Sequence, residues 1–235
     1  MSRSAASVLA AGIWGVVTLL GACDGRTIRL GGGATDGGGA CPHAQTGAAA
    51  VVWIGDSWVL VPGNQVTGVS DRARAIHAIG PNDAYTVDAA AAANMAAVVS
   101  QYTAQQASGM PAKVLIMDGG TWDTLTTNGS SASVTTVVNT FRQFLDRVAS
   151  DGTVQQIIYF LPPELPTVAG VAALRTPLQQ ACAASAVPCY FLDLQPVWSG
   201  HPEYTGADDL VPSTAGGAAI AAAIWALMQA NCVAQ

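Results

Sequence analysis

Charge is scarce in this chain. Only 10% of its 235 residues are charged, nine Lys and Arg against 15 Asp and Glu, for a formal net charge of -6. No basic cluster occurs, so the electrostatic footprint needed for nucleic acid or an anionic membrane surface is missing, and nucleic acid is excluded as a partner. Histidine is scarcer still, with three residues, His43, His77 and His201. No His or second Cys stands at zinc-ligand spacing beside any cysteine, and no phosphate-cradling Gly loop follows a strand, so neither metal nor cofactor is expected. Long apolar runs are also missing beyond the first two dozen residues. The 51% of apolar residues are mostly Ala and Val spread along the chain, so the bulk is expected to be soluble.

The exception is the start. Arg3 precedes an apolar run from Ala5 to Leu20, which ends in Leu20-Gly21-Ala22-Cys23. The run is short for a membrane span of about 20 residues and reads as an export signal. Its ending resembles a bacterial lipobox, which implies cleavage after residue 22, acylation of Cys23, and a lipid anchor in the cell envelope. A plain secretory signal leaving a soluble secreted protein is the alternative. Residues 23–47 are rich in Gly, including Gly31-Gly32-Gly33 and Gly37-Gly38-Gly39, and have too few large apolar side chains to pack. They read as a tether. A single domain of about 200 residues, 48–235, then remains, expected to be a monomer.

Setting Cys23 aside leaves Cys41, Cys182, Cys189 and Cys232 in an oxidising compartment, enough for two disulfides. Of the three connectivities, Cys182 with Cys189 makes a short helix-to-strand clip, and Cys41 with Cys232 ties the tether to the last helix. Buried free thiols are the alternative.

Past the tether, short β-branched and aromatic runs alternate with Ala-rich helical stretches, the rhythm of βα units on a parallel sheet. Strands are expected over Ala48–Ile54, Ala84–Val87, Lys113–Met117, Gln155–Phe160 and Tyr190–Leu194. Helices are expected over Ser70–Ile79, Asn94–Ser108, Ser133–Ser150, Val168–Ala186 and Ser213–Asn231. Ser213 follows Pro212 and suits an N-cap for the last helix, whose apolar face runs through Ile220, Ile224, Leu227 and Met228. The fold class is α/β, a five-stranded doubly wound parallel sheet with helices on both faces. Such sheets carry their chemistry in loops at the carboxyl ends of the strands.

The first such loop follows Val51-Val52-Trp53-Ile54 and reads Gly55-Asp56-Ser57-Trp58. Here the chain resembles the SGNH (GDSL) hydrolases, whose first block is an apolar strand followed by Gly-Asp-Ser. The resemblance runs from about Ala48 to Ala230 and implies a flavodoxin-like hydrolase fold with Ser57 as nucleophile and oxyanion donor. The family's second block supplies a backbone N–H from a Gly, and Asp88-Ala89-Ala90-Ala91 places Ala90 nearest to it. The third block, Gly-x-Asn-Asp in the family, reads Asp118-Gly119-Gly120-Thr121-Trp122-Asp123, with Trp122 at the Asn position and Gly119, Gly120 or Thr121 left as backbone donors. Trp122 is alternatively an aromatic wall over the cleft. The fifth block, Asp-x-x-His in the family, reads Asp208-Asp209-Leu210-Val211-Pro212-Ser213, with Val211 at the His position.

A serine hydroxyl needs a base. His43 lies in the tether and His77 in a helical stretch, whereas His201 lies in the loop after the fifth strand, ten residues before Val211. Two readings of His201 stand side by side, a relocated base and a solvated loop residue. As a base, its ring is to be oriented by Glu203, Asp208 or Asp209, Asp208 matching the family position. The resemblance then implies a serine esterase acting on an acylated carbohydrate, lipid or polyester, with Ser57, His201 and Asp208 as catalytic residues and Ser57, Ala90 and Gly120 at the oxyanion. Trp58 and Trp122 are the expected substrate contacts. The competing reading is a catalytically silent ligand-binding module on the same fold.

Overall fold

The computed structural model describes residues 46–60, 63–165 and 170–234. The leader over 1–22, Cys23, Cys41, His43 and all but the last two residues of the tether lie outside them. Among the described residues five strands form: β1 (Val51–Gly55), β2 (Thr86–Ala89), β3 (Val114–Met117), β4 (Gln156–Leu161) and β5 (Cys189–Asp193). All pair in parallel in the order β2-β1-β3-β4-β5. Every residue of β1 and β3 is buried. Burial on both faces is why these strands read as unbroken apolar runs rather than as alternating patterns.

Among the described residues eight α-helices accompany the strands: α1 (Ser57–Leu60), α2 (Asn64–Ala75), α3 (Met95–Ala107), α4 (Thr121–Thr127), α5 (Ser131–Asp151), α6 (Val171–Ala183), α7 (Gln195–Trp198) and α8 (Thr214–Ala230). α2 packs on α8, while α3, α4 and α6 pack on α5. Side-chain caps fix three helix starts. Asn94 accepts from the Ala97 N–H at 2.9 Å, Ser130 from Ser133 at 3.2 Å, and Ser213 from Gly216 at 3.1 Å, each satisfying a donor that the first turn leaves unpaired.

The largest departure from the sequence reading is α2, expected at Ser70–Ile79 and found six residues earlier. Its early start is held by Gln65, whose buried amide donates to the carbonyls of Trp58 and Val59, both at 2.5 Å. It ends before His77, which takes a left-handed φ of 61°. Residues 48–50 form a 3-10 turn rather than the start of β1. The short helices α1, α4 and α7 fill loops in which the sequence shows no helical period.

A disulfide joins Cys182 in α6 to Cys189 at the start of β5. Cys232 is also disulfide-bonded. Its expected partner, Cys41, lies outside the described residues. Among the described residues no helix is long and apolar enough to cross a membrane.

Candidate active site

The strand order reverses at β1, which lies between β2 and β3, and a crevice opens at the carboxyl ends of strands at such a point. Ser57 stands there, two residues past the end of β1 and first in α1. Its Oγ accepts a hydrogen bond from the Ala92 N–H at 3.0 Å. This corrects the expected donor. The Ala90 N–H is spent on the Gly55 carbonyl at 3.1 Å, continuing the β1–β2 ladder. Ala92 is free to aim its N–H at the serine because it has a φ of 58°, in the left-handed region. A run of five alanines, Ala89 to Ala93, carries no signal for which of them turns over. The nearest clue is the cap at Asn94, which fixes where the loop must end.

Two buried carboxyl groups lie behind this turn. Asp118, at the end of β3, is 0% exposed and Asp56 is 3% exposed. The Asp118 Oδ1 accepts the Asp56 N–H at 2.8 Å, and the Asp56 Oδ1 accepts the Trp58 N–H at 2.8 Å. The approach is tight. A Cβ on Gly55 would sit 1.9 Å from the Asp118 Oδ1 and 2.6 Å from Val59. Burial raises both carboxyl pKa values, and the Asp118 value stands well above the usual range because Asp56 adds its charge to the desolvation. From β4, Tyr159 donates to the Gly119 carbonyl at 2.5 Å, and burial holds its phenol well above its ordinary pKa.

Trp58, an expected substrate contact, is buried. It is 2% exposed and packs against Trp198, ring centroids 5.5 Å apart, because α1 turns its second residue inward. Trp198 in turn meets Tyr204 edge-on at 5.5 Å, and Tyr204 stacks flat on His201 at 4.4 Å. The His201 Nδ1 lies 2.9 Å from the Glu203 Oε1, and this bond lowers the Glu203 pKa. Glu203 therefore takes the orienting place expected of Asp208. The Asp208 Oδ1 instead accepts from the N–H groups of Leu210 at 3.1 Å and Val211 at 3.4 Å, a local turn that a short acidic side chain favours. Among the described residues no histidine hydrogen-bonds to Ser57.

The His201 loop is fixed against α8. The Ser213 Oγ donates to the Glu203 carbonyl at 2.6 Å, the Ser213 N–H donates to the Tyr204 carbonyl at 2.8 Å, and Thr205 bridges Pro212. Gly216 permits this seat, since a Cβ there would come within 2.1 Å of the Tyr204 carbonyl oxygen.

An open cavity of about 390 Å³ is lined by Asn94 before α3, by Trp122, Asp123, Thr126 and Thr127 of α4, and by Ser130, Ser133 and Thr136 at the start of α5. Trp122 is half-buried. Asp123 accepts the Met95 N–H at 2.8 Å, yet burial raises its pKa. Gly120 is buried and opens α4 with a φ of 89°, its missing side chain facing Val137. Among the described residues no group of His, Cys, Asp and Glu is placed to hold a metal ion.

No family model matches the chain, and no curated protein matches it by sequence. Solved structures do match by shape. One is a carbohydrate esterase of family 3 from Talaromyces cellulolyticus, 15% identical with a TM-score of 0.62, covering 79% of this chain and 98% of that one. Another is described as a lipolytic protein of the G-D-S-L family from Desulfitobacterium hafniense DCB-2, 15% identical with a TM-score of 0.59, covering 75% and 98%. A third is the acetyl xylan esterase AlAXEase, 13% identical with a TM-score of 0.59, again covering 75% and 98%. What is shared across nearly the whole length of those chains, at so few identical residues, is the architecture: this chain has the fold of the SGNH (GDSL) hydrolases.

Proposed function

We propose that the protein is a serine hydrolase of acyl esters, with Ser57 as nucleophile. The observation that carries this reading is the Ser57 hydroxyl at the sheet's reversal point with a backbone N–H, that of Ala92, held 3.0 Å from its oxygen. A donor in that place is available to an oxyanion formed beside the serine, together with the N–H of Ser57 itself. In the reaction the Ser57 Oγ bonds to the acyl carbon as its proton passes to the base. The base returns that proton to the departing alkoxide, and water then releases the acyl group as acid.

His201 is the base in this reading, with Glu203 as its orienter. Among the described residues it is the histidine in a loop after a strand's carboxyl end, whereas His77 follows α2 and precedes β2, at the opposite edge. The rings of Trp198 and Tyr204 link its loop to Trp58, the neighbour of Ser57. Base action requires the imidazole to come within about 2.6 to 3.2 Å of the serine oxygen.

The cavity beside Trp122 supports an acylated carbohydrate as the ester. Thr126, Thr127, Ser133 and Thr136 each donate their hydroxyl hydrogen to a backbone carbonyl, and what remains to face a ligand is lone pairs. A hollow rich in such acceptors, with the Asn94 amide and the Ser130 hydroxyl left as donors and an indole in its wall, suits a polyol, which brings donors and acceptors on its rim and C–H groups on its face. The carbohydrate esterase and the acetyl xylan esterase of the same fold are named for substrates of this kind. Export and acylation at Cys23 belong to the same proposal and rest on the leader sequence.

A second reading is a ligand-binding module, favoured by Val211 at the family's histidine position and by the Ser57 Oγ being hydrogen-bonded by the Ala92 N–H rather than by a histidine among the described residues. Hydrolysis of 4-nitrophenyl acetate and of an acetylated xylo-oligosaccharide, by the parent, Ser57→Ala and His201→Ala, decides between them. The expected result is a loss of at least about 10³-fold in kcat for both variants, with Trp122→Ala raising KM for the sugar ester alone. A parent without activity that binds the oligosaccharide as tightly as Ser57→Ala establishes the binding module instead.

A further inference from the structure

We propose that Asp118 acts as a neutral carboxylic acid, donating its proton to the Asp56 carboxylate and so positioning the Ser57 turn. Asp118 is a positioning residue, separated from Ser57 by Asp56. Both carboxyl groups are buried. The Oδ1 of Asp118 is already engaged by the Asp56 N–H at 2.8 Å. Its Oδ2 is buried with no donor facing it among the described residues. A buried oxygen in that state is costly, and the cost is relieved if the Asp118 carboxyl is protonated, because its side chain and that of Asp56 are within hydrogen-bonding reach of each other.

Asp56 is in turn committed to the Trp58 N–H at 2.8 Å. The two acids therefore bracket Ser57, one holding the N–H before it and the other the N–H after it. Neutralisation by a cation is not on offer. Among the described residues no Lys, Arg or His forms an ion pair with either acid. The groups that face the pair are Tyr159 from β4 and Asp123 from α4, the one neutral and the other acidic, while α3 contributes the neutral amide of Gln101, bonded to both the N–H and the carbonyl of Gly55. Two neighbouring buried carboxylates without a cation cannot both ionise, and one proton stays with the pair. The buried Asp118 Oδ2, the oxygen of the pair with no donor facing it, assigns the proton to Asp118, and burial with the Asp56 charge shifts its pKa upward in the same sense.

The sign follows. An acid whose pKa is raised on folding adds stability that is full below its unfolded value, near pH 4, and is lost as pH rises through the folded value. Asn at position 118 reproduces the neutral acid, with Oδ1 as acceptor and an N–H donor toward Asp56, and it does not ionise.

The test compares the full chain with Asp118→Asn, Asp118→Ala and Asp56→Asn by two readouts independent of ester hydrolysis. Infrared spectra in D2O at pH 7 are expected to show a protonated carboxyl stretch in the parent that disappears in Asp118→Asn. Urea unfolding from pH 4 to pH 9 is expected to show the parent's unfolding constant rising relative to that of Asp118→Asn by up to tenfold per pH unit across the window, while Asp118→Ala is destabilised at every pH. A parent with no such band, or an Asn variant as unstable as the Ala variant throughout, overturns the proposal. The effect on turnover rests on Ser57 being the nucleophile. Retention of kcat in Asp118→Asn, with loss of any alkaline limb traced to this pair, supports that further step, whereas an inactive parent with the expected band overturns the esterase reading and leaves the acid pair standing.

Discussion

Replacing Ala92 by glycine should stabilise the protein without removing the donor to Ser57. Ala92 has a φ of 58° and is exposed, so its methyl group contributes little burial to set against the strain. An L-residue in the left-handed region costs about 1 to 2 kcal/mol that glycine does not. Glycine's freer unfolded chain takes back about 0.4 to 1 kcal/mol. The net is a gain of about 0.5 to 1 kcal/mol, or about 1 to 4 °C in Tm for a domain of this size. Thermal unfolding followed by circular dichroism measures it, with Ala90→Gly as control. Ala90 lies outside the left-handed region, so that variant should lose about 0.5 to 1 kcal/mol. Because the donor is a backbone N–H, ester hydrolysis by Ala92→Gly should stay within about twofold of the parent. A fall in Tm for Ala92→Gly, or equal shifts for the two variants, would refute the assignment of the left-handed turn to residue 92.

Gly216→Ala places a Cβ against the Tyr204 carbonyl and is expected to unseat the His201 loop, lowering ester hydrolysis by more than about tenfold while urea unfolding changes by about 1 to 3 kcal/mol. A variant of full activity would show that the loop's seat on α8 is irrelevant to the chemistry. Converting both Cys182 and Cys189 to serine opens a loop of sequence separation 7 and should cost about 2 to 2.5 kcal/mol by loop entropy, read as a lower urea midpoint with unchanged turnover. Tyr159→Phe leaves the buried Gly119 carbonyl without its partner and should destabilise by about 1 to 3 kcal/mol. Equal stability would mean that the carbonyl finds another donor.

The order and class of the main elements were legible because each strand is a short run with turn signals on both sides and each long helix is periodic or capped. α2 was misplaced because its start depends on Gln65 reaching back to the carbonyls of α1, a contact with no local sequence pattern. Ser57 was legible because Gly-Asp-Ser directly follows an apolar strand. Trp58 was misread as a substrate contact for a related reason. An aromatic beside a nucleophile looks functional in sequence, but the direction in which a one-turn helix points it is set by Trp198, 140 residues later in the chain.

Composition and pattern by themselves determined the α/β class, the serine at a strand's carboxyl end and the expectation of a Cys182–Cys189 clip, all properties of local runs or of counts. Tertiary structure alone decided which alanine meets Ser57, which acid holds His201, and that Asp118 lies against Asp56. These depend on residues brought together from separate strands and loops, where burial and backbone conformation, rather than residue type, set the chemistry.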